Sequence, residues 1–174
     1  MDKDAALFDR HLRVIHACEK GATGVYWGHR LIAFAFYRDL IPQLTLMHAH
    51  ETEHYALFGE LIRQKRTRRV PFPVLWCGGG ILYGVFTALF GRRAIWKSTA
   101  IIEGIVEKEL TEAADFFQHR DATVHATILR ILEDERQHKL EAQAHCPEAA
   151  AVDALIEPTA KGGAALSKTL AQRC

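Results

Sequence analysis

The sequence predicts an all-α protein: a four-helix bundle with a long crossover between its second and third helices and short helices at the C-terminus. Three observations carry that expectation. Apolar residues recur at steps of three and four along most of the chain, with little of the alternation that marks strands. Proline is confined to positions 42, 71, 73, 147 and 158, where it separates the long periodic runs. One uncharged stretch of 22 residues, Val70–Gly91, divides those runs into two pairs.

The first helix is expected over about residues 4–38. Its apolar stripe, Leu12, Ile15, Ala22 and Tyr26, passes through one carboxylate, Glu19. The second, over about residues 43–66, follows Pro42 and contains "HAHETEHYALF", His48 to Phe58. Leu44, Met47, Phe58, Leu61 and Ile62 define its stripe, and continuing that stripe inward from both ends lands on Glu51 and His54. His48 and Glu53 fall off it, and His50 sits at its edge. The third helix, over about residues 93–119, runs through Thr99, Val106, Leu110, Ala113 and Phe117 and includes Glu103. The fourth, over about residues 122–145, passes from Ile128 and Ile131 to Ala142 through Glu135 and His138. His16, His48, His50, His119, His125 and His145 are assigned to solvent or to the surroundings of a site. After Pro147, two short helices are expected, "EAAAVDALIE" and "AALSKTLAQR", separated by Pro158 and Gly162-Gly163.

At 174 residues the chain is expected to be one domain, 1–174, with residues 146–174 peripheral to the bundle. Lys and Arg number 22 against 21 Asp and Glu, so there is no basic footprint for nucleic acid. Cys18, Cys77, Cys146 and Cys174 are far apart and form no C-x-x-C, which fits a reducing compartment without disulfides or a cysteine zinc site. The start, "MDKDAALFDRH", has neither a signal-peptide core nor an Arg-rich transit helix, and a bacterial cytoplasmic or processed organellar location is expected.

Four carboxylates on the apolar faces of a bundle would cost several kcal/mol each without compensation. A pair of metal ions supplies the missing positive charge. The spacing supports a paired site: Glu19 lies 32 residues before Glu51, and Glu103 lies 32 before Glu135, so the chain repeats Glu…Glu-x-x-His twice. That is the ligand pattern of di-iron carboxylate bundles, one Glu from each of two helices and a Glu-x-x-His from each of the others. Mixed carboxylate and imidazole donors suit iron or manganese. The long crossover is what such a pseudo-twofold pair of hairpins needs.

At these residues the sequence resembles the demethoxyubiquinone hydroxylases, members of the ferritin-like superfamily that act in ubiquinone biosynthesis. "HACEKGATGVYWG" resembles the family's first-helix signature and "ETEHYALF" its second-helix E-x-x-H. "GGGILYGVFTALFGRRAIWKSTAIIE" resembles its run into the third helix, and "EDERQH" its D-E-x-x-H. The resemblance implies a ferritin-like bundle whose iron ligands are Glu19, Glu51, His54, Glu103, Glu135 and His138, with Glu51 and Glu135 bridging two Fe²⁺ ions. It implies a monooxygenase that hydroxylates the ring of a polyprenyl demethoxyubiquinol with O2, taking electrons from NADH or another donor. It also leaves room for protein partners from ubiquinone biosynthesis and for a homo-oligomer. One position departs from the family: where it usually has histidine followed by tyrosine, this chain has Glu109 and Leu110. Glu107 is expected to pair with a nearby Lys or Arg, with a role as an extra or alternative ligand as the second reading, and Asp134 is read either as orienting a ligand histidine or as a solvated carboxylate.

A substrate with a polyprenyl tail lives in the bilayer. Leu75, Trp76, Leu82, Tyr83, Phe86 and Phe90 are therefore expected to form a membrane-facing surface and an entrance to the site, with "RQKRTRR" meeting anionic headgroups. Pro71, Pro73 and five glycines speak against one clean spanning helix in Val70–Gly91. Spanning would also put the two half-sites on opposite sides of the membrane. The expected location is peripheral, on the cytoplasmic face of a bacterial inner membrane. Two other readings remain open: a different ferritin-like di-iron oxidase of ferroxidase or peroxidase type, and a non-enzymatic helical membrane-associated protein.

Overall fold

Helix α1 (Lys3–Phe36) is 34 residues long despite Gly21, Gly24 and Gly28, each of which weakens a helix by about 1 kcal/mol relative to alanine. The computed structural model, which describes residues 3–173, shows what offsets that cost. Helix α3 (Pro73–Ala88) lies along α1 at backbone distance. A Cβ on Gly24 or Gly28 would fall on the carbonyls of Cys77 and Ile81, and one on Gly80 or Gly84 on the carbonyls of Gly21 and Val25. Two glycine pairs, each four residues apart, thus interlock as small-x-x-x-small seams do between membrane helices.

Helix α2 (Ile41–Lys65) follows a short 3-10 turn, Arg38–Leu40, and starts with Pro42 in its first turn, where no N–H is needed. It stops at Arg66, which adopts a left-handed conformation with φ 54°. Helix α4 (Arg92–Phe117) begins after Gly91, whose φ of 101° only glycine adopts readily. Helix α5 (Ala122–Ala144) is capped by Asp121, whose carboxylate accepts from the N–H groups of Thr123 and Val124 at 3.1 Å each. Helix α6 (Asp153–Arg173) lies against α4 and α1.

The antiparallel pairs α1–α2 and α4–α5 form the bundle, and α3 carries the chain from one pair to the other. Its interior divides into two apolar clusters. Leu12, Phe58, Leu110, Phe117 and Ile128 belong to one, and Tyr26, Leu44, Met47, Ile95 and Ala142 to the other. In every bundle helix the six expected ligands, Glu19, Glu51, His54, Glu103, Glu135 and His138, fall in sequence between the two clusters. The sequence pattern therefore places a polar layer between two greasy ones.

The four long helices lie within about three residues of their expected ends. The crossover is itself a helix, and the C-terminal segment is one helix rather than two, continuing through Pro158 and both glycines. Proline removes one hydrogen bond. Packing outweighs it, because Ile156, Ala160 and Ala171 are all buried. Arg93 holds Asp153 at 2.9 Å at one end of α6, and at the other Arg13 Nε donates to the Ala171 carbonyl at 2.8 Å. No helix among the described residues is long and apolar enough to cross a membrane. Cys174, one of the four cysteines, lies outside the described residues, as do the first two positions of the N-terminus.

Candidate metal centre

The stripes of α1, α2, α4 and α5 bring Glu19, Glu51, His54, Glu103, Glu135 and His138 together in the polar layer, all of them buried. They form two overlapping groups. One donor atom from each of Glu19, Glu51, His54 and Glu135 lies within 4.8 Å of the others, and the same holds for Glu51, Glu103, Glu135 and His138. Glu51 and Glu135 belong to both, so two neighbouring positions share two carboxylates. His54 Nδ1 faces Glu135 Oε1 at 2.9 Å and Glu19 Oε2 at 3.7 Å. His138 Nδ1 faces Glu51 Oε1 at 3.5 Å and Glu135 Oε2 at 3.6 Å.

These atoms are left wanting by the protein itself. Both carboxylate oxygens of Glu19, Glu51 and Glu135, Glu103 Oε2, and the Nδ1 atoms of both histidines are buried without a hydrogen-bond partner. Native interiors tolerate few such groups, and nine converging on one layer demand a common partner. Carboxylate and imidazole donors, with no thiolate among them, fit a pair of hard-to-borderline divalent cations.

Electrostatics agree. Burial, with the charges of Glu135 and Glu51, pushes Glu19 and Glu103 well above the usual carboxylate range. Burial and Glu135 raise Glu51 as well. Glu135 goes the other way: burial pushes it up, but the close imidazoles of His138 and His54, with the Glu103 carboxyl, outweigh that and hold it low. For His138, burial favours the neutral ring, yet Glu135 and Glu51 raise it to about 10. His54 is raised by the same balance, chiefly against Glu135. Without cations the layer thus holds protons in their place, and binding cations would release them.

A ring of supporting groups surrounds the six. His54 Nε2 lies 3.3 Å from Asp134 Oδ2, across the α2–α5 interface. His138 Nε2 lies 2.8 Å from His50 Nδ1, and the two rings stack at 5.1 Å. The buried Tyr26 hydroxyl donates to Glu103 Oε1. Glu107 turns outward to Lys139 at 2.7 Å and Arg136 at 3.1 Å, away from the six. Glu109 pairs with Lys168 of α6 at 2.5 Å.

The sequence places Tyr26 in an apolar stripe and in the first-helix signature without assigning it a partner. Its signal was a buried phenol seven residues after Glu19 on the same face, which needs an acceptor. His16, expected at the surface or around the site, is buried and stacked on Tyr55 at 4.2 Å, with burial lowering it to about 4.

A cavity of about 580 Å³ opens between α1, α3, α4 and α6. Cys18 and Ala22, beside Glu19 on α1, and Ile102 and Val106, beside Glu103 on α4, form part of its wall. Leu75, Trp76 and Tyr83 of α3 line it as well, and Glu109 and Lys168 stand among its few charged residues. The other expected surface residues lie outside it: Leu82 and Phe90 are exposed, and Phe86 packs edge-on against Phe90 at 5.1 Å.

A family model described as ubiquinone biosynthesis protein COQ7 matches residues 6–171. A 3-demethoxyubiquinol 3-hydroxylase of Rhodospirillum rubrum is 30% identical over 169 residues, covering 97% of this chain and 79% of the relative. A mitochondrial NADPH-dependent 3-demethoxyubiquinone 3-hydroxylase of Mus musculus is 26% identical over 172 residues, covering 97% and 78%. A mitochondrial 5-demethoxyubiquinone hydroxylase of Saccharomyces cerevisiae is 31% identical over 105 residues, covering 60% and 45%.

Proposed function

Since the chain belongs to the COQ7 family of ubiquinone biosynthesis proteins, we propose that it is a monooxygenase that hydroxylates the ring of a demethoxyubiquinol at a di-iron centre. The observation that carries this reading is the pair of overlapping four-residue groups, built from buried donor atoms that the protein leaves without partners. Glu19 and His54 would hold one iron, Glu103 and His138 the other, and Glu51 and Glu135 would bridge them. The iron pair, when bound, supplies reductive activation of O2.

The chain's own residues supply the rest. The two apolar clusters keep bulk water from the layer. Tyr26 fixes one oxygen of Glu103 by hydrogen bonding, leaving the other free to face inward. The largely apolar cavity beside Glu19 and Glu103 suits an aromatic ring with an isoprenoid tail better than a hydrated metal ion, and so favours a quinol substrate over a ferroxidase role. Exposed Phe72, Val74, Leu75, Leu82, Leu89 and Phe90 give α3 and its ends an apolar outer surface, next to Arg66, Arg68 and Arg69. That surface would lie in the headgroup region and admit the tail. The location proposed is therefore peripheral, on the cytoplasmic face of the membrane. The NADPH in the name of the mouse relative supports a reduced nicotinamide as electron source.

The test is single-turnover reaction of iron-loaded protein with a short-chain demethoxyubiquinol, isotopically labelled O2 and a reduced nicotinamide. One labelled oxygen in the ring hydroxyl of the product is expected. Unchanged quinol, from protein shown to hold two irons, would contradict the assignment.

A further inference from the structure

The two halves of the centre share one device, built from different residues. The residue immediately before each shared glutamate reaches across to the histidine of the opposite helix. Asp134, before Glu135 on α5, meets His54 of α2, and His50, before Glu51 on α2, meets His138 of α5. Both histidines aim Nδ1 inward, so the proton of a metal-bound ring must sit on Nε2. His54 then donates to a carboxylate and His138 to an imidazole nitrogen. A carboxylate acceptor draws its partner towards imidazolate and strengthens it as a ligand, whereas a neutral ring fixes orientation without adding charge. The His50 contact is nevertheless the shorter, 2.8 Å against 3.3 Å, and is reinforced by stacking. Position is thus held at least as firmly in that half, while charge is not.

Resting on the di-iron reading above, we propose that His50 is the positioning residue for His138, and that imidazole in place of carboxylate makes the two metal positions unequal. The position at Glu19 and His54 fills first, and the one at Glu103 and His138 second. Each half offers two glutamates in common, one of its own and one histidine, and the other difference points the same way: Tyr26 holds one oxygen of Glu103, while both oxygens of Glu19 are free.

Anaerobic Fe²⁺ titration, read by equilibrium dialysis and Mössbauer spectroscopy, tests this with the full chain. The wild type is expected to load in two steps with two distinguishable ferrous signals. His50→Ala should weaken the second step about 10- to 100-fold and alter only the second signal. His50→Gln, whose amide oxygen can accept from His138 Nε2, should restore both, and Asp134→Asn should weaken the first step. His50 is only half-buried, so a folded variant is expected, and unchanged helical circular dichroism verifies it. Two irons in the wild type, with His50→Ala matching it in both affinity and spectrum, would overturn the inference while leaving the di-iron reading intact. A wild type that binds no iron would overturn both.

Discussion

Glu135 is the residue on which the centre turns. It belongs to both four-residue groups, contacts both histidines, and stays ionised where Glu19, Glu51 and Glu103 are driven towards protonation. The metal-free layer is accordingly a proton store, and stability must depend on pH with a definite sign. His138 is raised in the folded state from 6.5 to about 10. The folded state therefore binds more protons than the unfolded one between those values. The stabilisation is fully present below pH 6.5 and is lost as pH rises through about 10. Metal binding has the opposite dependence, because it needs the deprotonated ring. Melting temperatures of metal-free protein should fall between pH 7 and pH 10, while the gap between iron-loaded and metal-free protein widens. A metal-free curve that rises over that range would contradict the arrangement. At this scale the six central residues were legible because a charged side chain inside an apolar stripe is rare enough to stand out. His50 and Tyr26 were not, since one sits at a stripe's edge and the other passes for an ordinary core aromatic. Only the tertiary fold reveals their partners.

At the scale of elements, α3 is the informative one. Glycines and prolines argue against a stable helix on propensity alone, and sequence reasoning read the segment as a crossover without assigning it a helix. The glycines instead remove the side chains that would keep α3 off α1. Close backbone packing overrides propensity, and such pairing cannot be seen from either segment alone. Helix α6 teaches the same lesson, since burial carries it through Pro158. Once docked, α3 turns Leu75 and Leu82 outward, 66% and 74% exposed, too open to serve the core. Leu82→Asp should therefore leave the fold and iron content unchanged but lower the partition coefficient onto anionic phospholipid vesicles about 30-fold, the equivalent of losing about 2 kcal/mol of apolar burial. Equal vesicle binding by the variant and the wild type would remove α3 from the membrane-facing role.

For the whole molecule, the bundle, its crossover and the buried polar layer work as one arrangement. Two helical hairpins each supply a glutamate and a Glu-x-x-His, two apolar clusters enclose the layer, and a cavity reaches the walls beside Glu19 and Glu103. The bundle was readable from periodicity, and the paired site from its equal 32-residue spacings. The cavity was not, because it forms from four helices far apart in sequence. Glu109, where relatives of the family type are expected to carry histidine, stands in that cavity wall bound to Lys168, so the difference bears on the cavity rather than on the six central residues. The most direct test of the central claim is the quinone profile of a host lacking its own hydroxylase and expressing this chain. Ubiquinone should return with the wild type and fail to return with Glu135→Ala. Persistent demethoxyubiquinone in the presence of well-expressed, iron-loaded wild-type protein would contradict the account.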